Sequence, residues 1–70
     1  MNKKTGVVIQ LTNKEKNQIE EIWENPERRE RFVLELFRKD VGIGTLRYIR
    51  AKGSGRRQSI EIIRNTLKTH

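Results

Sequence analysis

The sequence predicts a mainly α-helical fold with one short N-terminal β-strand and three to four short helices. Two observations predict this class: apolar residues recur at helical spacing in several segments, and a β-branched run precedes the first of them. The chain has 70 residues and no cysteine, so its core is thin and no disulfide or thiolate metal site stabilises it. We therefore expect a single domain over residues 1–70, with frayed ends, that shares its core with a second copy in a homodimer.

The strand is predicted over residues 7–11. Val7, Ile9 and Leu11 alternate there with Val8 and Gln10, and this alternation is typical of a strand with one buried face. Because a lone strand is unstable, another segment or a second chain must supply its partner.

Two helices follow, each opened by a recognisable cap. Thr12 and Glu15 form a capping box at the start of the first helix. Asn25 caps the second helix, predicted over about residues 26–40, and Pro26 takes its first position. The side chains expected in the core are Ile19, Ile22 and Trp23 from the first helix, and Phe32, Val33, Leu36 and Phe37 from the second.

The C-terminal part fits either two helices or a β-hairpin. Residues 45–52 fit a short helix with Leu46 and Ile49 inward, or a strand. Residues 58–68 fit a last helix, whose inward side chains are Ile60, Ile63 and Leu67. The alternative is an α+β fold with a C-terminal β-hairpin over residues 45–63.

Glycines predict the connections in this part of the chain. Residues 41–44 contain two glycines and predict a turn with positive φ, and residues 52–55 predict a flexible loop. Backbone amides in such a loop, running into a helix N-terminus, can surround an anion. Arg56 and Arg57 follow the loop directly, so it is a candidate phosphate site.

Positive charge is concentrated in the last third of the chain. Residues 45–70 hold seven Lys or Arg and one acid, whereas residues 1–44 hold nine basic and eight acidic side chains. These two parts therefore carry +6 and +1 of the total charge of +7. A local concentration of positive charge is typical of proteins that bind a polyanion, most commonly nucleic acid.

Catalysis and metal binding are not indicated. The only histidine is His70, and a general base is hardly held in place at a chain end. Nearly all of the acids are expected to face solvent or to pair with basic residues one turn away, such as Glu24 with Arg28. We expect no enzyme activity, cofactor, metal or small-molecule substrate. No apolar run approaches the roughly 20 residues of a membrane span, and a cytoplasmic protein is expected.

The predicted nucleic-acid contacts fall mainly on the last third. If residues 45–51 are helical, Arg47 and Arg50 share an exposed face and suit guanine edges. Tyr48 either fills the core, which is favoured, or touches a phosphate. Base or groove contacts are predicted for Arg47, Arg50, Tyr48 and Gln10, and phosphate contacts for Thr45, Lys52, Ser54, Arg56, Arg57 and Arg64.

Residues 6–24, Gly-Val-Val-Ile-Gln-Leu-Thr-Asn-Lys-Glu-Lys-Asn-Gln-Ile-Glu-Glu-Ile-Trp-Glu, resemble the opening of ribbon-helix-helix DNA-binding proteins. The family has an alternating strand, a Thr or Pro cap, an acid-rich first turn and an apolar stripe. The resemblance implies that two copies pair their strands into a ribbon that enters the major groove. Val8, Gln10 and Thr12 would then face the bases, although Val8 is apolar where a polar side chain is usual.

Residues 32–51 resemble a helix-turn-helix unit with a shortened turn. Residues 32–41 would be its first helix, Gly42-Ile43-Gly44 its turn, and residues 45–51 its recognition helix. The Gly-Ile-Gly is also similar to helix-hairpin-helix motifs, in which glycine amides hold a DNA phosphate.

The sequence thus predicts a sequence-specific, double-stranded-DNA-binding transcription regulator. Two alternatives use the same basic face. One is a small interaction module or inhibitor that docks on an acidic or nucleic-acid-binding surface. The other is an RNA-binding or ribosome-associated protein. Tyr48 is the one exposed-looking aromatic ring available for base stacking, which counts against single-strand recognition.

Overall fold

The computed structural model of the protein describes residues 7–70. Gly6, which opens the ribbon-helix-helix resemblance, and the N-terminal end that was expected to fray lie outside the described residues. The elements run in the order β1 (Val8–Gln10), α1 (Asn13–Glu24), α2 (Pro26–Arg38), α3 (Ile43–Lys52), β2 (Ser54–Arg56) and α4 (Arg57–Lys68). The predicted mainly helical class with a short N-terminal strand is confirmed.

Residues 45–51 and 57–63 are helical, so the alternative of a β-hairpin over 45–63 is wrong. The spacing of the buried side chains explains why. Leu46 and Ile49 are three residues apart, which places them on one side of a helix but on opposite faces of a strand. Both are 1% exposed in α3, and Ile60, Ile63 and Leu67 occupy the matching stripe of α4.

The partner of β1 comes from the same chain. β1 and β2 are antiparallel, with Ile9 opposite Gly55. The Leu11 amide donates to the Gly53 carbonyl at 2.8 Å and the Arg57 amide to the Val7 carbonyl at 3.3 Å, so the pairing continues at both ends. The flexible loop predicted over residues 52–55 is therefore wrong, because β1 recruits this segment into a sheet.

The predicted caps of α1 and α2 are confirmed. Thr12 Oγ1 accepts from the Glu15 amide at 3.1 Å, and the Thr12 amide donates to Glu15 Oε1 at 2.8 Å. Asn25 Oδ1 accepts from the amides of Glu27 and Arg28 at 3.1 and 3.2 Å. Each cap satisfies amides that have no partner inside the helix.

The turn between α2 and α3 lies earlier than the glycines predicted. Gly42 has φ −76° and Gly44 is already helical, whereas Asp40 adopts φ 68°. The Val41 amide donates to the Leu36 carbonyl at 2.9 Å, and the Asp40 amide donates to the Phe37 carbonyl at 3.1 Å. This is a Schellman motif, with Asp40 in the left-handed position that glycine usually fills.

One core joins all four helices to the sheet. Phe32 and Leu36 of α2 are fully buried, but Phe37, which was predicted in the core, is 68% exposed. It lies about 100° around the helix from Leu36, outside the buried stripe. The buried apolar side chains are Leu11, Ile19, Ile22, Phe32, Leu36, Val41, Leu46, Ile49, Ile60, Ile63 and Leu67, with Ile9, Trp23, Val33 and Ile62 packed partly against them.

Within residues 7–70, no helix has the length and apolar character needed to cross a membrane.

Candidate nucleic-acid interface

The outer face of the two-stranded sheet carries three polar side chains beside the exposed Val8. Val8 lies opposite Arg56 and Gln10 lies opposite Ser54. Successive strand side chains point to opposite faces, and the other face is turned inward at Gly55, which is buried against Ile49 and Ile60. The cross-strand pairs therefore present Gln10, Ser54 and Arg56 together on the outside, although Gln10 is more than forty positions from the other two in the sequence.

An open groove between α3 and the start of α4 continues this face. Thr45 and Tyr48 of α3 line the groove together with Arg56 and Ser59. Tyr48 is 58% exposed, so the favoured placement of its ring in the core is wrong. Leu46 and Ile49 occupy the inward stripe of α3, and Tyr48 points away from it. Asp40 also lines the groove and places one negative charge there.

We call the combined area the ribbon–α3 surface. It unites six side chains predicted to contact nucleic acid: Gln10, Thr45, Tyr48, Lys52, Ser54 and Arg56. Lys52, at the end of α3, lies two residues before Ser54. Lys52 and Arg56 are exposed, and neither forms an ion pair with a carboxylate among residues 7–70.

Lys16 belongs beside this surface, and the sequence did not point to it. Its Cε lies 2.9 Å from the position a Cβ would take at Gly53, so the side chain runs across the backbone between α3 and β2. Lys16 belongs to the nearly neutral part of the chain, 37 positions before Gly53. The contact could not be predicted because local sequence patterns do not extend over such a separation. The absence of a side chain at Gly53 leaves room for the lysine stem.

Arg50 is held away from the ribbon–α3 surface. Its Nε and Nη2 donate to the two carboxylate oxygens of Glu20 at 2.8 and 3.0 Å. Its guanidinium also lies 4.6 Å from the centre of the Trp23 ring, within the range of a cation–π contact. The predicted base contact by Arg50 would require this bidentate pair to open.

Two of the predicted phosphate contacts, Arg64 and Arg57, have carboxylate partners as well. Arg64 donates from Nε to Glu15 Oε2 at 2.7 Å and from Nη2 to the Gln10 carbonyl at 3.3 Å. Arg57 donates to Glu61 at 3.2 Å across one turn of α4. The Arg57–Glu61 pair is well exposed, so it is weak and open to exchange. The Arg64 pair is less exposed and ties α4 to α1.

The ion pair with Arg64 helps to lower the pKa of Glu15. Burial alone would raise the pKa of its carboxyl, but hydrogen bonds from the Thr12 amide and the Arg64 guanidinium, together with the guanidinium charge, outweigh burial and lower the pKa. Glu15 therefore supports both the start of α1 and the contact with α4.

Arg47 lies on the opposite flank of α3 from Thr45. It is exposed and lines a second groove together with Trp23, Arg29 and Ile43. The structure thus separates Arg47 from the ribbon–α3 surface by the width of one helix.

The glycine-rich segment does not form the predicted cradle of free amides. The Gly53 amide donates to the Ile49 carbonyl at 2.6 Å, and the Arg57 amide donates to the Val7 carbonyl at 3.3 Å. Gly55 lies in the ladder opposite Ile9. Capping and strand pairing therefore occupy the Gly53 and Arg57 amides, which are not free to bind an anion.

His70 packs against α2 in place of the expected frayed end. Its ring meets Phe32 edge-on at 5.2 Å between centroids, and its Nε2 lies 3.1 Å from Glu35 Oε1. Among residues 7–70 there is no cluster of three or more His, Asp or Glu side chains that could hold a metal ion.

Comparison with protein-family models, with curated proteins and with solved structures gave no match.

Proposed function

We propose that this protein is a sequence-specific transcription regulator that binds double-stranded DNA through the ribbon–α3 surface. The observation that carries the proposal is the convergence of Gln10 with Ser54 and Arg56 on one exposed face. Lys52 and Arg56 there have no carboxylate partner among the described residues. DNA recognition requires attraction to phosphates and hydrogen bonds to base edges. The unpaired cations can provide the first, and the neighbouring amide and hydroxyl groups can provide the second.

The major groove is wide enough for a two-stranded ribbon or for a helix. Gln10 suits an adenine edge and Arg56 a guanine edge, because each matches the base with two hydrogen bonds. Lys52 and Lys16 flank the ribbon and suit phosphates, while Thr45 offers a hydroxyl. The proposal therefore shifts base recognition from Arg50, which is paired with Glu20, to the ribbon.

A salt titration of duplex binding tests the proposal. Each neutralised phosphate contributes about 0.9 log unit of affinity per decade of salt. The double variant Lys16→Gln/Lys52→Gln, which removes the two lysines that suit phosphates, should bind more weakly and reduce that slope by roughly two contacts. The matched control is Arg31→Gln/Arg38→Gln, which removes two exposed cations from α2 and should preserve the slope. Salt-independent binding, or equal losses in both variants, contradicts the proposal.

An RNA-binding function is the second candidate, and the exposure of Tyr48 favours it. A ring that is 58% exposed beside cations can stack on an unpaired base. Tyr48→Ala should then weaken single-stranded RNA binding by about 1–3 kcal/mol and leave duplex DNA binding nearly unchanged. Preference for duplex DNA over single strands in a competition assay would reject this candidate. Both functions are consistent with a cytoplasmic location.

A further inference from the structure

An apolar face lies apart from the ribbon–α3 surface. Leu34 and Phe37 of α2 are 54% and 68% exposed, and Ile43 at the start of α3 is 44% exposed. Leu34 and Phe37 are three residues apart, so they are neighbours on the helix surface. Half-buried Trp23 and Val33 line the groove beside them. We call this set of five side chains the apolar α2 face.

Arginines border the apolar α2 face. Arg29, Arg47 and Arg50 line the groove, and Glu30 is the acid among its lining residues. Arg29 and Arg50 lie 5.9 and 4.6 Å from the centre of the Trp23 ring. Arg29 and Arg47 form no ion pair among residues 7–70. The border is therefore positively charged, with two guanidinium groups that have no carboxylate partner in the described structure.

We infer that the apolar α2 face docks an amphipathic helix of a partner protein, one with an apolar stripe flanked by Asp and Glu. Charge complementarity selects this occupant. The apolar centre provides burial, and a carboxylate on each side of the stripe pairs with Arg29 and Arg47. A helix laid in a groove uses side chains at i, i+3, i+4 and i+7, which suits the neighbouring Leu34 and Phe37 on α2 and the Ile43 side chain that lines the groove with Leu34.

A second copy of this chain fits the same face less well. The groove lining holds three arginines and one glutamate, so two such faces would bring two net positive surfaces together. Like charges across an interface oppose association, and the whole chain carries +7. The positive charge of these arginines attracts an acidic partner, whereas it repels a second copy of the chain.

Trp23 is the only tryptophan of the chain, so its fluorescence reports directly on this groove. The probe is a synthetic helical peptide with a Leu/Phe stripe flanked by Glu and without Trp or Tyr. The control peptide has Lys in place of every Glu. We expect the acidic peptide to change the Trp23 emission with a saturable titration curve, and the lysine peptide to bind at least roughly tenfold more weakly.

Variants of the protein complete the test. Leu34→Asp should weaken acidic-peptide binding at least roughly tenfold, because it removes a buried contact and adds repulsion. Phe37→Asp is the second variant and should weaken peptide binding in the same way. Both side chains are exposed, so we expect both variants to fold, and circular dichroism checks this. Val8→Asp places the same charge on an exposed side chain of the sheet and should leave peptide binding unchanged. Leu34→Asp should also leave duplex DNA binding unchanged, which separates this inference from the proposed function.

Three outcomes overturn the inference. The first is an emission of Trp23 that does not respond to the acidic peptide. The second is equal binding of the acidic and lysine peptides. The third is self-association in sedimentation that Leu34→Asp abolishes, since a second copy would then occupy the face.

Discussion

At Gly55 the backbone of β2 packs closely against the Ile49 side chain of α3. A Cβ at this position would lie 2.6 Å from Ile49 Cγ1 and 2.9 Å from Ile49 Cδ1, whereas a Cβ at Gly44 would meet nothing within 4 Å. In the sequence both glycines look like turn residues. The structure gives them different roles, since Gly55 lets β2 rest on α3 and Gly44 lies on the open surface of that helix.

The two glycines should therefore respond oppositely to the same substitution. Gly55→Ala should lower the free energy of unfolding by about 1–3 kcal/mol, because the core must shift to admit a methyl group. Gly44→Ala should leave it unchanged or raise it by up to about 1 kcal/mol, because alanine favours the helix. Urea denaturation of both variants measures the difference. Equal effects would contradict the packing described for Gly55.

Glu15 is the described residue whose ionisation should affect stability most directly. Its folded-state pKa lies below the ordinary value of 4.5, so folding favours the charged carboxylate. The carboxylate therefore contributes stability above about pH 4.5, and this contribution is lost as the pH falls through the lowered folded-state pKa.

Glu15→Gln should expose this contribution. At pH 7 the variant should unfold with a free energy lower by about 1 kcal/mol, because a neutral amide replaces the charged partner of Arg64. The difference from the unmodified chain should shrink as the pH falls below 4.5, the ordinary value for this carboxyl. The measurement is urea unfolding at a series of pH values, with Glu24→Gln on the exposed end of α1 as the control. A difference that does not depend on pH would contradict the role given to the carboxylate.

Helices could be predicted well because their evidence is local. Thr12 and Asn25 act within three residues of the amides they cap, and Ile60, Ile63 and Leu67 repeat at the helical period. β2 could not be predicted in this way. Ser-Gly-Arg has little intrinsic preference for a strand, and it becomes one because β1 pairs with it from more than forty positions away.

The end of α2 shows the same distinction. The Gly-rich sequence after it predicted positive φ at a glycine, but Asp40 adopts φ 68°. The reason is tertiary: Val41 is only 3% exposed, and its burial sets where the chain must turn. A left-handed conformation costs a residue with a side chain roughly 1 kcal/mol or more compared with glycine.

Asp40→Gly should therefore raise the free energy of unfolding by up to about 1 kcal/mol. Arg38→Gly is the matched control, since Arg38 is helical and its side chain forms no ion pair among residues 7–70; a glycine there relieves no strain and mainly increases the freedom of the unfolded chain. That variant should be less stable than the unmodified protein by up to about 1 kcal/mol. Thermal unfolding of the two variants gives the comparison, and stabilisation by both or by neither would argue against strain at Asp40.

At the scale of the whole molecule, some cationic side chains of the described residues form ion pairs that join helices, and others are exposed to solvent. Arg50 and Arg64 pair with Glu20 and Glu15, whereas Lys52 and Arg56 stay exposed beside the sheet. The sequence predicted where the charge is concentrated, because that is a count. It could not predict which cations are paired, because the pairing carboxylates lie 30 and 49 positions away and local spacing detects only partners one turn apart.

α3 separates two surfaces with different chemistry. Thr45 and Tyr48 belong to the ribbon–α3 surface, and Ile43 and Arg47 belong to the groove beside α2. The proposed DNA site and the inferred partner site therefore lie on different flanks of the same helix. Binding at the two surfaces is therefore expected to be compatible, because they share no described side chain.

The most direct test of DNA binding by the ribbon–α3 surface is an amide chemical-shift titration with a short duplex. We expect fast, salt-sensitive shifts at Gln10, Tyr48, Lys52, Ser54 and Arg56, with the amides of the exposed face of α2 unchanged. Shifts centred on Leu34 and Phe37, or no shifts at low salt, would contradict it.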